Sequence, residues 1–133
     1  MLALVVDDSR ATRSMLRTML AKLGFDVVEA GHGVEALDRL SSLGAVDFAL
    51  VDWNMPEMDG LEFVRSLRAE RRYAELPVMM VTAENDATQM ARALMAGADE
   101  YALKPIDLEA LETKLRLLGV LEPATNRQDA SSR

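Results

Sequence analysis

Five polar residues of this chain stand where apolar runs stop. Asp7 and Asp8 follow Leu2–Val6, Asp52 follows Phe48–Val51, Thr82 follows Leu76–Val81, and Lys104 follows Tyr101–Leu103. Three carboxylates brought together repel one another and raise each other's pKa. A hard divalent cation removes that conflict, and an all-oxygen donor set without His or Cys suits magnesium, manganese or calcium. Magnesium binds through one or two carboxylates and shares its other positions with water and phosphate oxygens. The compact ammonium of Lys104 is a phosphate-binding charge, and Thr82 offers a hydroxyl donor. Carboxylates also accept phosphoryl groups covalently. Asp52 is the candidate nucleophile, because it stands alone at the end of its run while Asp7 and Asp8 form a pair able to hold a metal.

That chemistry needs elements that deliver residues far apart in the chain to one place. Leu2–Val6 is a continuous apolar run, as a parallel strand covered on both faces shows. Ser9 is suited to N-cap a helix reaching about Leu23, with Met15, Leu16, Met19, Leu20 and Leu23 on one face and Arg10, Arg13 and Arg17 largely on another. Gly24 closes it. Phe25–Ala30 reads as a second strand whose two acids suggest a sheet edge, and a helix over Val34–Leu43 ends at Gly44. Phe48–Val51 is strand three. Pro56 prevents the loop after it from continuing as strand, and Asp59-Gly60 turns the chain into a helix using Leu61, Val64 and Leu67. Leu76–Val81 is strand four, Asn85 or Asp86 caps a helix to Ala96, Tyr101–Leu103 is strand five, and a last helix runs from about Asp107 to Leu118. Strict strand–helix alternation predicts an α/β fold: a doubly wound parallel sheet with helices on both faces. Ligands of such sheets sit beyond the carboxyl ends of the strands, so the five polar residues should share one pocket.

The chain's 133 residues fit one domain able to bury roughly two-thirds of its unfolded surface. Residues 1–118 are expected to form it, with a polar, flexible tail over 119–133. There is no cysteine, hence no disulfide and no thiolate metal site. No apolar stretch approaches the roughly 20 residues of a membrane span, and Asp7-Asp8 interrupts the first apolar run before it could serve as a signal peptide. Cytoplasmic residence is the expectation. Twenty-two acidic against fifteen basic side chains give a net charge of −7, which disfavours nucleic acid and anionic membranes.

Val5-Val6-Asp7-Asp8-Ser9, Asp52 to Gly60, Val81-Thr82-Ala83-Glu84, Gly97-Ala98 and Tyr101 to Pro105, in that order, resemble the receiver domain of two-component response regulators. The likeness covers residues 2 to about 118 and is strongest to the stand-alone chemotaxis regulators. It implies a flavodoxin-like strand order 2-1-3-4-5 and a phosphoryl group accepted on Asp52 from a histidine kinase. Mg2+ would be held by Asp8, Asp52 and the backbone carbonyl of Asn54, with Asp7 acting through water. Lys104 would pair with the phosphoryl group, Thr82 would move to hydrogen-bond it, and Tyr101 would then turn inward. The state would be read on the surface of the fourth helix, fifth strand and fifth helix. Asn54 and Glu84 would flank the path of hydrolytic water and tune phosphate lifetime towards fast loss, and the Lys104–Pro105 bond would be cis.

The downstream target implied is a protein, such as a flagellar motor switch. The alternative is a phosphorelay intermediate that passes phosphate to a histidine phosphotransfer protein, which needs the same residues. A magnesium-dependent aspartyl phosphatase is disfavoured because Asn54 stands where a second acid would be needed. Nucleotide binding is disfavoured because no phosphate-binding glycine loop follows strand one. The expectation is therefore self-catalysed phosphorylation and dephosphorylation, without enzymatic turnover of outside substrates. Elsewhere, His32 between two glycines reads as an exposed turn residue. Arg65, Arg68 and Arg72, with Arg71 beside them, read as a solvated face. Met90 and Leu94 fit either core or output surface.

Overall fold

A computed structural model describes residues 1–83 and 86–122. Its strands are β1 (Leu2–Val6), β2 (Asp26–Ala30), β3 (Phe48–Val51), β4 (Val78–Thr82) and β5 (Glu100–Leu103). Its helices are α1 (Arg10–Lys22), α2 (Gly33–Leu43), α3 (Gly60–Arg68), α4 (Ala87–Ala96) and α5 (Leu108–Leu117), and a 3-10 turn spans Arg71–Tyr73. All pairings are parallel and the order is β2-β1-β3-β4-β5. The predicted alternation and winding are present.

Side-chain alternation along the strands divides the core in two. Leu4, Val6, Ala49, Val51, Val78 and Met80 face one side, where Ala36, Leu40, Leu61, Val64, Leu67 and Ala93 of α2, α3 and α4 cover them. Ala3, Val5, Phe48, Leu50, Met79 and Val81 face the other, under Leu16, Met19, Leu20, Leu111 and Leu115 of α1 and α5. Both faces of the central strands are dry, which is why those strands read as unbroken apolar runs. β2 lies at the edge, with Asp26 exposed.

Local signals hold the helix starts in place. The Ser9 hydroxyl accepts from the Thr12 amide at 3.2 Å, and Asp86, rather than Asn85, caps α4. Asp59 and Glu62 form a reciprocal capping box on α3.

Two expectations need correction. Met15 is exposed; the buried stripe of α1 is narrower than its apolar spacing suggested. Arg68 does not belong to a solvated row. Its side chain is only 17% exposed, and its guanidinium donates to the Gly97 carbonyl, to the Tyr73 carbonyl and to Asp99 Oδ2, tying α3 to the ends of two other elements. Arg72 remains exposed as expected, lying over the Tyr73 ring. Beyond α5, the Gly119 amide donates to the Arg116 carbonyl and the Val120 amide to the Leu115 carbonyl, closing the helix. Val120 and Leu121 then pack on the α1/α5 side of the core. Of the expected tail, residues 123–133 lie outside the described part. Met90 packs against the core while Leu94 is exposed, so that pair divides between the two readings.

Candidate functional site

The register of the sheet builds the site. Val6 pairs with Ala30 and Val51, and Val51 with Met80, so β1, β3 and β4 stop at nearly the same level. The Asp52 amide donates to the Val6 carbonyl and the Asp7 amide to the Ala30 carbonyl. Asp7 and Asp52 therefore emerge side by side, 2% and 6% exposed, and Asp8 lies at the solvent edge beside them. Carboxylate oxygens of Asp7, Asp8 and Asp52 lie within 4.8 Å of one another.

Lys104 reaches the same point from β5. Its backbone amide donates to the Thr82 carbonyl at 2.9 Å, and its Nζ lies 2.7 Å from Asp7 Oδ2 and 3.3 Å from Asp52 Oδ1. Thr82 is fully buried at the end of β4. The Lys104–Pro105 bond is cis. Residues 97 positions apart in the chain meet in one hydrogen bond.

The electrostatics follow from that crowding. Burial first, and the Asp7 charge second, push the Asp52 carboxyl up to about 6, against the pull of Lys104 and of the Trp53 amide that donates to Oδ1 at 2.9 Å. Burial works to lower the Lys104 pKa, but the hydrogen bond to Asp7 and the two carboxylate charges outweigh it and hold the ammonium above its ordinary range. One cation shared among three carboxylates leaves negative charge in excess. The donor set, all oxygen and short of positive charge, fits a hard divalent cation.

The loop from Asp52 to Asp59 is shaped by sterics. The Gly60 amide donates to the Trp53 carbonyl at 2.8 Å, and a Cβ on Gly60 would sit 2.1 Å from the Asp52 carbonyl oxygen. Asn54 lines an open cavity of about 520 Å³ with Asp8, Met55, Pro56 and Asp59, next to the carboxylates. Tyr101 is buried on the α2/α3/α4 side of the core. Glu84 lies outside the described residues.

Two contributors went unnoticed in the sequence. Arg13, set apart from the apolar face of its helix, places Nη1 2.5 Å from the Asp7 carbonyl and Nε 3.0 Å from Glu29 Oε1. A signal existed in the arginines at 13 and 17 opposite an acid of β2. His32 is not a free turn residue but the N-cap of α2, its Nδ1 accepting from the Glu35 amide at 3.3 Å.

The family model described as the response regulator receiver domain matches residues 3–116. The chain belongs to the response regulator receiver family. Within that family it is 46% identical over 113 residues to a chemotaxis protein CheY homolog of Campylobacter jejuni, covering 84% of this chain and 87% of that protein. It is 41% identical over 116 residues to chemotaxis protein CheY1 of Helicobacter pylori, covering 86% and 94%. The solved structure of CheY4 from Vibrio cholerae superposes with a TM-score of 0.82 at 32% identity, over 88% of this chain and 97% of that one. Receiver domains bind Mg2+ at an acidic pocket, and this receiver domain has the matching aspartate cluster. Among the described residues no helix is long and apolar enough to cross a membrane.

Proposed function

We propose that this receiver domain is a chemotaxis-type response regulator that accepts a phosphoryl group on Asp52 from a histidine kinase and signals through the face formed by α4, β5 and α5. The observation that carries the reading is the buried Asp52 carboxylate with Lys104 Nζ at 3.3 Å and two further aspartates beside it. Likeness to CheY proteins over most of both chains supports the chemotaxis class.

In the forward step an Asp52 carboxylate oxygen attacks the phosphorus of a phosphohistidine. The P–O bond forms as the P–N bond breaks, and the imidazole leaves with that bond's electron pair and takes up a proton. In the hydrolytic step water attacks the phosphorus and loses its proton, the P–O bond to Asp52 breaks, and inorganic phosphate leaves as Asp52 returns to a carboxylate. Such transfers need positioning and charge neutralisation more than covalent help from the protein.

Asp8, Asp52 and the Asn54 carbonyl would hold Mg2+, with Asp7 acting through water; when bound, the ion offsets the charge of the carboxylates and phosphoryl oxygens. Lys104, already aimed at Asp52, exchanges part of its pairing with Asp7 for a phosphoryl oxygen. Thr82, at the end of the neighbouring strand, donates its hydroxyl to another. Drawing Thr82 towards the phosphoryl group favours the buried position of Tyr101 and shifts the population read on the α4, β5 and α5 face. Asn54 and Glu84 set how quickly water reaches the phosphorus. The chemistry is self-modification and its reversal, with no turnover of an outside substrate.

Labelled protein, made with a small phosphodonor and Mg2+, tests the reading when offered either a flagellar motor-switch peptide or a histidine phosphotransfer domain. The expected result is tighter peptide binding by the labelled form and loss of label as inorganic phosphate. Label that moves to the histidine instead, with no gain in peptide binding, makes the protein a relay intermediate.

A further inference from the structure

We infer that His32 is a positioning residue for the cation site, acting through Glu57 to hold the loop between β3 and α3 against the start of α2. The inference rests on the reading of Asp52 and Asn54 as Mg2+ ligands, and it concerns what keeps their loop in place.

The loop carries Asp52 at one end and Asp59 at the other, with Asn54 between them. Its middle is a tight turn in which the Met58 amide donates to the Pro56 carbonyl at 2.7 Å. Glu57, at the centre of that turn, has φ 65 and is the one non-glycine residue with positive φ among those described. Such a backbone persists only where its surroundings impose it. Two neighbouring contacts to α2 supply the constraint. The Met58 side chain packs so closely on Gly33 that a Cβ there would lie 2.8 Å from its Cγ and Sδ. Beside it, Glu57 Oε2 lies 3.2 Å from His32 Nε2.

His32 is built to make this contact in one form. Its Nδ1 accepts from the Glu35 amide, which places the proton of the neutral ring on Nε2, the atom facing Glu57. The anchor behind it is firm: the Gly31 amide donates to Glu35 Oε1 at 2.6 Å, and Arg39 holds Glu35 Oε2 at 3.3 Å. Because Ala30 accepts the Asp7 amide, the same stretch after β2 that grips Glu57 also steadies the other side of the aspartate cluster. His32 thus serves two purposes, helix cap and loop latch. The phosphoryl chemistry uses neither directly.

Separate substitutions divide the two. His32→Asn retains a short cap acceptor and cannot reach Glu57, and Glu57→Ala removes the other partner. Trp53 is the single tryptophan of the chain and adjoins Asp52, so its fluorescence reports Mg2+ titration. With side chains 26% and 64% exposed, the contact is worth only a factor of a few. Each single variant should raise the Mg2+ dissociation constant about threefold, and the double variant should also show about threefold rather than the product of the two. Non-additivity separates the latch from simple loss of a negative charge at Glu57. Metal-free melting of His32→Asn should match wild type, and if that variant fails to fold, Glu57→Ala compared with Glu57→Gln decides: the Gln amide oxygen still accepts from Nε2 without the charge, so affinity kept in Glu57→Gln supports the latch and affinity lost in both overturns it. Unchanged Mg2+ affinity in Glu57→Ala, or independent and multiplicative effects, would overturn the latch while leaving the cation site intact. A wild-type protein that does not respond to Mg2+ would instead overturn the ligand assignment itself, and the latch with it.

Discussion

Asp52 is held at a thermodynamic disadvantage by burial and by the neighbouring Asp7 charge. Its folded pKa of about 6 stands above the ordinary carboxyl value of 3.8, so between those values the folded state binds a proton that the unfolded state does not. Without a divalent cation, stability should therefore rise as pH falls from 7 towards 4, the reverse of the usual paired aspartate. Asp52→Asn should stabilise the metal-free protein at pH 7 by on the order of 1 kcal/mol, the gain shrinking at lower pH as the wild-type carboxyl protonates. Thermal unfolding in a chelator across that range, for both proteins, checks the sign. At this scale the sequence was generous about identity and reticent about pairing. Asp7, Asp8, Asp52, Thr82 and Lys104 could be picked out because each is polar at the end of an apolar run. That Asp7 rather than Asp8 takes the closest contact with Lys104 depends on which carboxylate the register turns inward, and no local pattern encodes it.

Elements position these residues through contacts that tolerate little change. Gly60 was legible as a turn residue beside Asp59. Its deeper constraint is steric, since the first residue of α3 lies against the backbone of Asp52 and under Met80. Gly60→Ala should cost at least about 2 kcal/mol, because the clash is with backbone that cannot move without shifting Asp52. Asp59→Ala removes only the cap and should cost about 1 kcal/mol. Urea unfolding of the two variants ranks them, and a milder loss for Gly60→Ala would mean the loop can yield. Arg68 marks the limit of helix periodicity as a guide. Its spacing with Arg65 and Arg72 matched a solvent-facing stripe, yet it donates to the Gly97 carbonyl and to Asp99, some thirty positions further along the chain. Long-range partners of that kind are invisible to spacing.

For the whole molecule, alternation of strands and helices was enough to predict a parallel sheet covered on both sides, and the carboxyl-end rule was enough to predict one shared pocket. The order β2-β1-β3-β4-β5 came from family resemblance, because apolar runs of similar length do not say which strands are neighbours. Val120 and Leu121 are partly buried against the α1/α5 side of the core, and two apolar residues without a period give no sign of that packing in the sequence. Across the molecule, the sheet gathers an acid-rich rim around one lysine, and the account depends on that rim being a phosphorylation site. Intact-mass analysis after incubation with a small phosphodonor, with and without Mg2+, tests this most directly. The account predicts a single added phosphoryl group on wild type only when Mg2+ is present, and none on Asp52→Asn. A wild-type protein that stays unmodified, or a variant that still gains the group, would contradict it.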